Sequence, residues 1–539
     1  MLSTDGIFST PKPTNEPVRS YTPDSPHTIS LKKMLQKKST EQVEVPCVID
    51  GKRYYTGRTI PLTMPSDHKH QLGVAHLATP ELVEKAIESN LRAKAKWASL
   101  PWSERASIFL RAAELLAGPW RDRLNATTML CQAKTCYQAE IDAACELIDF
   151  WKFNVHYLEQ ILKDQPSSGA GVWNRLDYRP LEGFIFAITP FNFTSIALNL
   201  PTAPAMCGNV AIWKPSNTQL YSAWEGMLLL EEAGVPPGVI NFLPGNGADV
   251  GDIVLDHPDL SGLHFTGSTQ TFQHLWKKIG NNINKYKTYP RIVGETGGKD
   301  FILAHESADI EALTVAILRG AFEFQGQKCS AASPVYVPQS IWPELKARLI
   351  TETAKITSGD IRDFSNFFSA VIDENAFNKH NEYLNLAKET ATIIAGGSSD
   401  GTKGWYIEPT IVEVDQADHR LMAEEIFGPI VAIYPYSNWE QTLKDIDNTS
   451  PYALTGAVFS QDRYKVQEAL SALRNSAGNF YINDKPTGAV VGQQPFGGAR
   501  GSGTNDKAGS ALNLMRWMSP RTIKENLNPP HNWTYPFLG

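Results

Sequence analysis

The feature that most constrains the fold is a regular alternation of short apolar runs with helical stretches from residue 183 onward. The first series of runs covers residues 184–188, 210–213, 239–242, 262–265, 291–293 and 301–304. A second series between residues 311 and 484 covers 335–337, 411–414, 430–434, 454–459 and 480–482. Because strands separated by helices pair in parallel, the pattern predicts an α/β protein with two α/β units.

The first part of the chain has a different pattern. Residues 80–162 are dominated by helical periodicity, with an apolar stripe that predicts one long helix: Ile141, Ala144, Cys145, Ile148, Trp151, Val155 and Leu158. Residues 164–171 are rich in Pro, Ser and Gly, and the alternating segment 172–179 predicts a protruding strand pair. The six prolines of residues 1–46 predict an extended arm wrapped on the body.

Composition excludes several classes of protein. The 57 acidic and 50 basic residues give a net charge of −7 without long charged blocks, which argues against nucleic-acid binding. No apolar run approaches the ~18–20 residues of a membrane-spanning helix. Six cysteines in 539 residues are too few for a disulfide framework and favour a reducing compartment.

Some short motifs resemble catalytic or ligand-binding patterns, but their sequence context argues against such a role. Residues 397–401 fit the G-x-S-x-G pattern, but they lead into another turn rather than a helix. Gly298-Lys299 ends like a phosphate-binding loop, yet Asp300 replaces the required Ser or Thr. The cysteine spacings suit no zinc site, so we expect no metal.

Two glycine-containing turns follow predicted strands and open helices. Residues 245–251 approximate a dinucleotide-binding turn with one residue too many, and glycine and asparagine also simply form turns. Residues 265–269 combine free N–H groups and hydroxyls that suit a pyrophosphate, although ordinary capping by Ser or Thr explains them equally.

Three segments with unusual composition could form an acyl-transfer site. Asn192 lies between two phenylalanines after a strand, Glu295 lies in a glycine-rich strand exit, and Cys329 lies in a loop beside Lys328. A thiol nucleophile, an amide donor for an oxyanion and a carboxylate base are the groups that such chemistry needs. Cys145, by contrast, is expected to be a core residue.

These segments resemble successive motifs of the aldehyde dehydrogenase superfamily, in that family's order. The motifs are residues 189–193, 213–216, 265–268, 294–299, 326–330 and 425–429. Residues 15–18, 140–150 and especially 487–500 are most similar to the branch that acts on delta-1-pyrroline-5-carboxylate. The resemblance implies a Rossmann-type NAD-binding domain, an α/β catalytic domain and a small β-flap for oligomerisation.

The resemblance also implies domain boundaries. The NAD-binding domain would comprise residues 47–163 and 181–297, the catalytic domain 298–505, and the flap 164–180 and 506–539, after the arm 1–46. Since an exposed strand pair invites pairing, a homodimer or larger homo-oligomer is expected.

The implied reaction is oxidation of glutamate γ-semialdehyde to glutamate, the second step of proline catabolism, through a cysteine thiohemiacetal and thioester. Cys329 would be the nucleophile, Asn192 the oxyanion donor and Glu295 the base for the hydrolytic water. For the cofactor the resemblance implies contacts from Lys214, Ser216, Gly267, Ser268, Glu425 and Phe427. NAD is expected, with NADP weaker, although Asn217 replaces an acid that many relatives carry.

The substrate residues that the resemblance implies are Ser330, Gly488 and Ala489 for the carboxylate, Phe193 and Phe496 beside the aliphatic chain, and Glu146 for the ammonium. Glu146 could instead be an exposed helix acid, and Lys328 either attracts the carboxylate or is solvated. The resemblance implies the mitochondrial matrix as location and a functional link to a separate proline dehydrogenase. However, the N-terminus is a poor presequence, with one arginine and two acids, which leaves a cytosolic form open.

Three other functions stay open. The chain could oxidise a different semialdehyde, although residues 488–489 argue against it. The chain could also be a thiol esterase, which would need no cofactor. The dinucleotide-type turns indicate that a cofactor is used, so esterase activity would be a side activity. A non-catalytic binding or structural paralogue conflicts with the presence of Cys329, Glu295 and Asn192 together.

Overall fold

The computed structural model describes residue 6 and residues 8–539, so part of the predicted N-terminal arm lies outside the described residues. In chain order the strands are β1 Val43–Val45, β2 Cys47–Ile49, β3 Lys52–Tyr54, β4 Thr59–Met64, β5 Asp67–His76, β6 Val172–Pro180, β7 Phe184–Ile188, β8 Ala211–Lys214, β9 Ile240–Phe242, β10 Leu260–Thr266, β11 Arg291–Glu295, β12 Asp300–Ala304, β13 Ala332–Pro338, β14 Thr392–Ala395, β15 Ser399–Asp400, β16 Tyr406–Ile407, β17 Thr410–Glu413, β18 Ile430–Tyr436, β19 Tyr452–Ala453, β20 Thr455–Phe459, β21 Asn479–Ile482, β22 Ala499–Arg500 and β23 Met518–Asn526.

The α-helices are α1 Pro26–Thr40, α2 Pro80–Ser99, α3 Trp102–Ala117, α4 Arg121–Gln132, α5 Cys136–Ala139, α6 Leu147–Lys163, α7 Thr194–Met206, α8 Leu220–Ala233, α9 Gly247–Asp256, α10 Thr269–Asn281, α11 Ile310–Phe322, α12 Trp342–Thr353, α13 Glu374–Thr390, α14 Arg420–Ala423, α15 Trp439–Thr449, α16 Arg463–Ala472 and α17 Ala511–Met515. Short 3₁₀ turns occupy Asn217–Gln219, Glu323–Gly326 and Pro536–Leu538. In the described part of the chain, no helix has the length and apolarity to cross a membrane.

The first large sheet has the strand order β11-β10-β7-β8-β9-β2-β3. The five strands from β11 to β9 are parallel neighbours, and β2 and β3 add an antiparallel edge. Its central strands are buried on both faces because helices cover them, as the continuous apolar runs predict. The predicted 239–242 and 291–293 runs correspond to β9 and β11.

The second large sheet has the order β14-β17-β18-β13-β12-β20-β21 and is parallel except for β14. Each strand run predicted between residues 335 and 482 lies in this sheet. The first sheet ends with β11 and the second begins with β12, so the two sheets join through residues 296–299. That short connection places the last strand end of one sheet beside the first strand of the other.

The predicted long helix over 141–158 is interrupted at its start. Residues Glu140–Glu146 form a π-helical turn between α5 and α6, in which hydrogen bonds span five residues rather than four. The wider turn shifts the side chains that follow it around the helix axis. Such single turns are frequent at functional sites, and this one ends at Glu146.

The protruding segment is one strand paired with the tail. Strand β6 pairs antiparallel with β23, from Met518 opposite Pro180 to Asn526 opposite Val172. The predicted flap boundary at residue 506 places Leu514 and Trp517 in the flap, and both are fully buried in the core of the first sheet and its helices.

The prediction of a fully extended arm over residues 1–46 is wrong for its second half. Helix α1 begins where the Ser25 side chain accepts a hydrogen bond from the Thr28 N–H, and Pro26 occupies the first turn, where its missing N–H costs nothing. Leu31 and Leu35, one turn apart, are buried against the body. Residues 8–22 have no helix or strand and lie across the helices.

Candidate active site

The site forms where the carboxyl ends of the first sheet meet the second sheet. Lys214 ends β8, Thr266 ends β10 and Glu295 ends β11, while residues 189–193 follow β7. Since these strands are parallel neighbours, their ends lie at one edge, where open α/β sheets bind ligands.

The Cys329 loop is held in a fixed shape from both sides. It follows a turn in which Phe324, Gln325 and Gly326 have φ values of 52°, 55° and 65°. The Gln325 amide donates to the carbonyls of Ala133 at 3.1 Å and Ala370 at 2.6 Å, and a Cβ at residue 326 would lie 2.3 Å from the Gly428 carbonyl oxygen. Rare left-handed backbone of this kind persists only where the surroundings fix it, and it clusters at active sites.

Cys329 differs from the other cysteines. The other five are buried, whereas Cys329 is partly exposed and lines a cavity. Burial of the sulfur, together with the carboxylates of Asp300, Glu295 and Glu425, raises the pKa of Cys329 well above its usual value. The thiol is therefore neutral in this arrangement, and its ionisation requires a proton acceptor or a positive charge brought by a ligand.

Asn192 lies against the Cys329 loop. Its side chain is 4% exposed, and Nδ2 donates to the Gln327 carbonyl oxygen at 3.0 Å. One amide proton is thus fixed on the loop two residues before the nucleophile, while the second remains for a ligand oxygen. The amide is positioned by protein contacts before any substrate binds.

Asn192 and Phe193 are positioned by a buried ion pair that the sequence did not reveal. Asp142 accepts hydrogen bonds from the N–H groups of Thr194 and Ser195, at 3.0 and 2.9 Å, and so caps α7. Lys134 Nζ lies 2.6 Å from Asp142 and 4.2 Å from the centre of the Phe193 ring. The π-helical turn is what points Asp142 at the start of α7.

Glu295 has the surroundings of a general base. Its Oε2 is buried and has no hydrogen-bond partner among the described residues. Burial raises the pKa of Glu295 well above its usual value, while the Lys507 ammonium lowers it. A carboxyl group with an elevated pKa and a free oxygen can accept a proton from water near neutral pH.

Glu425 explains the glycine at residue 297. Its Oε1 accepts a hydrogen bond from the Gly298 N–H at 3.0 Å, and a Cβ at Gly297 would lie 2.4 Å from Oε2. Phe427 has a φ of 58°, and its ring packs edge-on against Phe191 with centroids 5.9 Å apart. Both side chains lie on the nucleophile's side of the sheet junction, since Cys329, Glu425 and Phe427 line one small cavity.

The remaining cofactor residues lie along the strand ends of the first sheet. Lys214 is buried, its Nζ donates to the Pro215 carbonyl at 3.3 Å, and burial lowers the pKa of Lys214 to about 8. The Gly267 N–H donates to the Glu295 carbonyl at 3.2 Å, and Ser268 caps α10 by accepting from the Thr271 N–H. Ser216 is half-buried beside Thr218. A buried ammonium, a helix N-terminus and a carboxylate along one edge fit the ribose hydroxyls and phosphates of a dinucleotide.

The other predicted dinucleotide turn has a packing role. A Cβ at Gly245 would lie 2.6 Å from Val250, so glycine there lets the turn pack against α9. The G-x-S-x-G segment forms the β15–β16 hairpin, which excludes a strand-turn-helix nucleophile.

A cavity of about 690 Å³ opens onto Cys329 and contains the whole predicted substrate set. The residues of that set that line it are Ser330, Gly488, Ala489, Phe193, Phe496 and Glu146. Asn15, Asp149, Lys485 and Thr487 also line it and were missed from the sequence. Residues over 470 positions apart meet here, which no local pattern can indicate.

Positive charge beside Gly488 comes from Lys485 rather than Lys328. Lys328 forms a buried ion pair with Glu323 at 3.1 Å, which neutralises it. Lys485 Nζ donates to the Thr487 carbonyl at 3.1 Å, and a Cβ at Gly488 would lie 2.9 Å from it. Ser330 Oγ and Thr487 Oγ1 lie 2.8 Å apart and join the two loops that would hold a carboxylate.

Glu146 faces this cavity rather than bulk solvent. Burial, and then the charge of Asp142, raise the pKa of Glu146 to about 8. A carboxyl group that is destabilised in its ionised form gains by pairing with a cation. The cavity therefore combines an acid with a glycine-containing loop and a lysine.

Comparison with known proteins agrees with this arrangement. The Aldehyde dehydrogenase family profile matches residues 54–523, and the chain belongs to the aldehyde dehydrogenase family. It is 52% identical over 535 residues to a mitochondrial delta-1-pyrroline-5-carboxylate dehydrogenase of Dictyostelium discoideum, covering 98% of this chain and 96% of the relative.

Two solved structures are similar to this chain over nearly its whole length. The delta-pyrroline-5-carboxylate dehydrogenase from Mycobacterium tuberculosis bound with NAD superimposes with a TM-score of 0.96 at 51% identity, covering 99% of this chain and all of that one. Proline utilization A from Bdellovibrio bacteriovorus superimposes with a TM-score of 0.90 at 29% identity, covering 97% of this chain and 54% of that chain.

Proposed function

We propose that the chain catalyses the NAD-dependent oxidation of L-glutamate γ-semialdehyde to L-glutamate, the second step of proline catabolism. The observation that carries the proposal is the single cavity that Cys329 lines together with an anion-binding loop, with Ser330, Gly488 and Ala489, and the carboxyl group of Glu146. That combination of groups suits a short aldehyde with an α-amino acid group at its far end. The names of the Dictyostelium and Mycobacterium relatives support the same substrate.

In the first half-reaction the Cys329 thiol gives its proton to a water molecule. The resulting thiolate attacks the aldehyde carbon, forming a carbon–sulfur bond and an alkoxide. The second amide proton of Asn192 and the Cys329 N–H stabilise that alkoxide. The strand-end residues would hold NAD beside this carbon, where the cofactor would supply the hydride acceptor for the oxidation. The carbon stays attached to Cys329 as a thioester.

In the second half-reaction Glu295 removes a proton from a water molecule that attacks the thioester. The carbon–sulfur bond breaks, glutamate leaves, and Cys329 returns to the thiol. The unpaired Oε2 of Glu295 is the proton acceptor.

We infer the cofactor residues from their position along the same strand edge. Lys214, Ser216, Gly267 and Ser268 would hold the adenosine and pyrophosphate part, and Glu425 and Phe427 the nicotinamide ribose and ring. The buried Lys214 ammonium needs oxygen ligands, which ribose hydroxyls supply. We propose NADP as the poorer cofactor, and equal kcat/KM for the two would contradict this.

The fold and the relatives support a proposal for the domain division, the assembly and the location. We assign residues 47–163 and 181–297 to the NAD-binding domain and 298–505 to the catalytic domain, with β6 and β23 as the oligomerisation flap of a homodimer or larger assembly. The mitochondrial name of the Dictyostelium relative supports the matrix as location. We also propose a functional link to a separate proline dehydrogenase, which the name of the Bdellovibrio relative, proline utilization A, supports.

The test compares NADH formation from glutamate γ-semialdehyde and from butanal, which lacks the amino acid group. We expect kcat/KM to be about 100-fold or more higher for the semialdehyde, because buried polar groups reject analogues that leave them unpaired. Ser330→Ala should reduce this preference while it leaves butanal oxidation nearly intact. A preference for butanal would keep the family and overturn the substrate.

A further inference from the structure

The N-terminal arm forms part of the substrate cavity. Asn15 lies in the irregular segment of the arm, 476 residues before Val491 in the loop of residues 487–494. Asn15 and this loop nevertheless line the same cavity. We call residues 487–494 the anchor loop, because it contains Gly488 and Ala489. The contact is not needed to close the fold's core, since Asn15 is half-buried at the cavity mouth.

Every polar atom of the Asn15 side chain is used there. Nδ2 donates to Asp149 Oδ2 at 2.8 Å and to the Val491 carbonyl oxygen at 2.7 Å. Oδ1 accepts a hydrogen bond from Gln493 Nε2 at 2.9 Å. One side chain thus joins helix α6 to two positions of the anchor loop.

Asn15 is itself held by the next residue. The Glu16 N–H donates to Asp149 Oδ1 at 2.8 Å, and the Glu16 carboxylate pairs with Arg121 at 2.6 Å. Because the N–H and the carboxylate of Glu16 are both fixed on the helices, the neighbouring Asn15 amide has one orientation. It is a rigid support rather than a chance surface contact.

The anchor loop needs such a support. It contains no helix or strand, and Gly488 and Gly492 have φ values of 91° and 83°. Its closest packing on α6 is at Gly492, where a Cβ would lie 2.2 Å from the Phe153 ring. Backbone N–H groups of a glycine-containing loop bind an anion only when their directions are fixed.

We propose that Asn15 is a positioning residue for the substrate's α-carboxylate. It clamps the anchor loop onto α6 so that the N–H groups of Gly488 and Ala489 face the cavity. The inference rests on the proposed function, and it assigns the N-terminal arm a direct part in substrate selection.

The experiment measures steady-state kinetics of the full-length protein and of Asn15→Asp, with glutamate γ-semialdehyde and with butanal. The substitution keeps the side-chain size, removes both donors and places a second carboxylate against Asp149. We expect KM for the semialdehyde to rise about tenfold with kcat changed less than threefold, because lost ground-state binding appears in KM. Butanal oxidation should change much less.

Thr10→Val is the matched control. Thr10 lies in the same arm and bonds through its hydroxyl to Glu159 of the same helix, far from the anchor loop. It should leave KM for both aldehydes at the parent value. Hydrogen exchange of residues 488–494 should be faster in Asn15→Asp and unchanged in Thr10→Val.

Gln493→Ala gives a second, independent variant. Gln493 is exposed, so its truncation should leave folding intact. The variant removes the hydrogen bond that Gln493 Nε2 donates to Asn15 Oδ1. We expect a two- to threefold rise in KM for the semialdehyde, because the net contribution of a single hydrogen bond is modest. If both Asn15→Asp and Gln493→Ala keep the parent KM and exchange rates, the clamp is overturned. A parent enzyme without preference for the semialdehyde over butanal overturns the proposed function instead, and with it the role of Asn15.

Discussion

The side-chain amide of Asn192 donates to the carbonyl oxygen of Gln327 at 3.0 Å, two residues before Cys329. The oxyanion donor and the nucleophile loop are therefore locked to each other before substrate arrives. Preorganisation of this kind makes electrostatic stabilisation effective, because no reorganisation is needed during the reaction.

We expect Asn192→Ala to lower kcat by about 10²–10³-fold, since one oxyanion donor is lost. The measurement is the pre-steady-state rate of NADH formation. Labelling of Cys329 by iodoacetamide is the control for an intact nucleophile. A variant with the parent rate of NADH formation would mean that the alkoxide lies elsewhere.

Glu295→Gln should separate the two halves of the reaction. We expect a rapid burst of about one NADH per active site, followed by turnover about 10²–10⁴-fold slower, because the thioester forms but water is no longer activated. Rapid-mixing absorbance measures the burst amplitude. The absence of a burst together with slow turnover would place Glu295 before hydride transfer.

Lys507 sets the pH at which Glu295 works. Its ammonium donates to the Gly478 and Gly497 carbonyls, at 2.8 and 2.9 Å, and it lowers the pKa of Glu295 against the effect of burial. Removing it in Lys507→Met raises the pKa of Glu295 further, and the base is active only when ionised. We therefore expect the acid limb of the thioester hydrolysis rate to move to higher pH, while Lys507→Arg keeps it near the parent position. An unmoved limb in Lys507→Met would show that Lys507 is structural.

The elevated pKa of Glu146 predicts that ligand binding depends on pH. Burial raises the pKa of Glu146 to about 8, so the group is mainly protonated at pH 6.5 and mainly ionised at pH 8.5. A ligand ammonium favours the ionised form. Inhibition by L-glutamate should therefore strengthen by about an order of magnitude relative to glutarate, which lacks the ammonium, across this pH range. In Glu146→Gln the ratio of the two inhibition constants should be independent of pH.

The two sheets could be predicted from the sequence because their strands are buried on both faces, which leaves continuous apolar runs such as 184–188 and 210–213. The motif residues Cys329, Asn192, Glu295 and Glu425 were found for a different reason, their resemblance to a family. The structure brings them together at the junction of the sheets.

Other features left no local signal strong enough to find them. Helix α1 was missed because its prolines suggested an arm, although Ser25 and Pro26 are a helix start. The π-helical turn that aims Asp142 and Glu146 depends on tertiary packing. The clamp at Asn15 and the charge of Lys507 beside Glu295 arise between segments that are hundreds of residues apart.

The most direct test of the account is NADH formation from pyrroline-5-carboxylate, whose hydrolysis supplies the open-chain semialdehyde, by the parent protein and by Cys329→Ala. The account predicts robust turnover in the parent and loss of turnover in the variant, with the variant still folded by circular dichroism. Equal turnover in the two proteins would contradict covalent catalysis at Cys329.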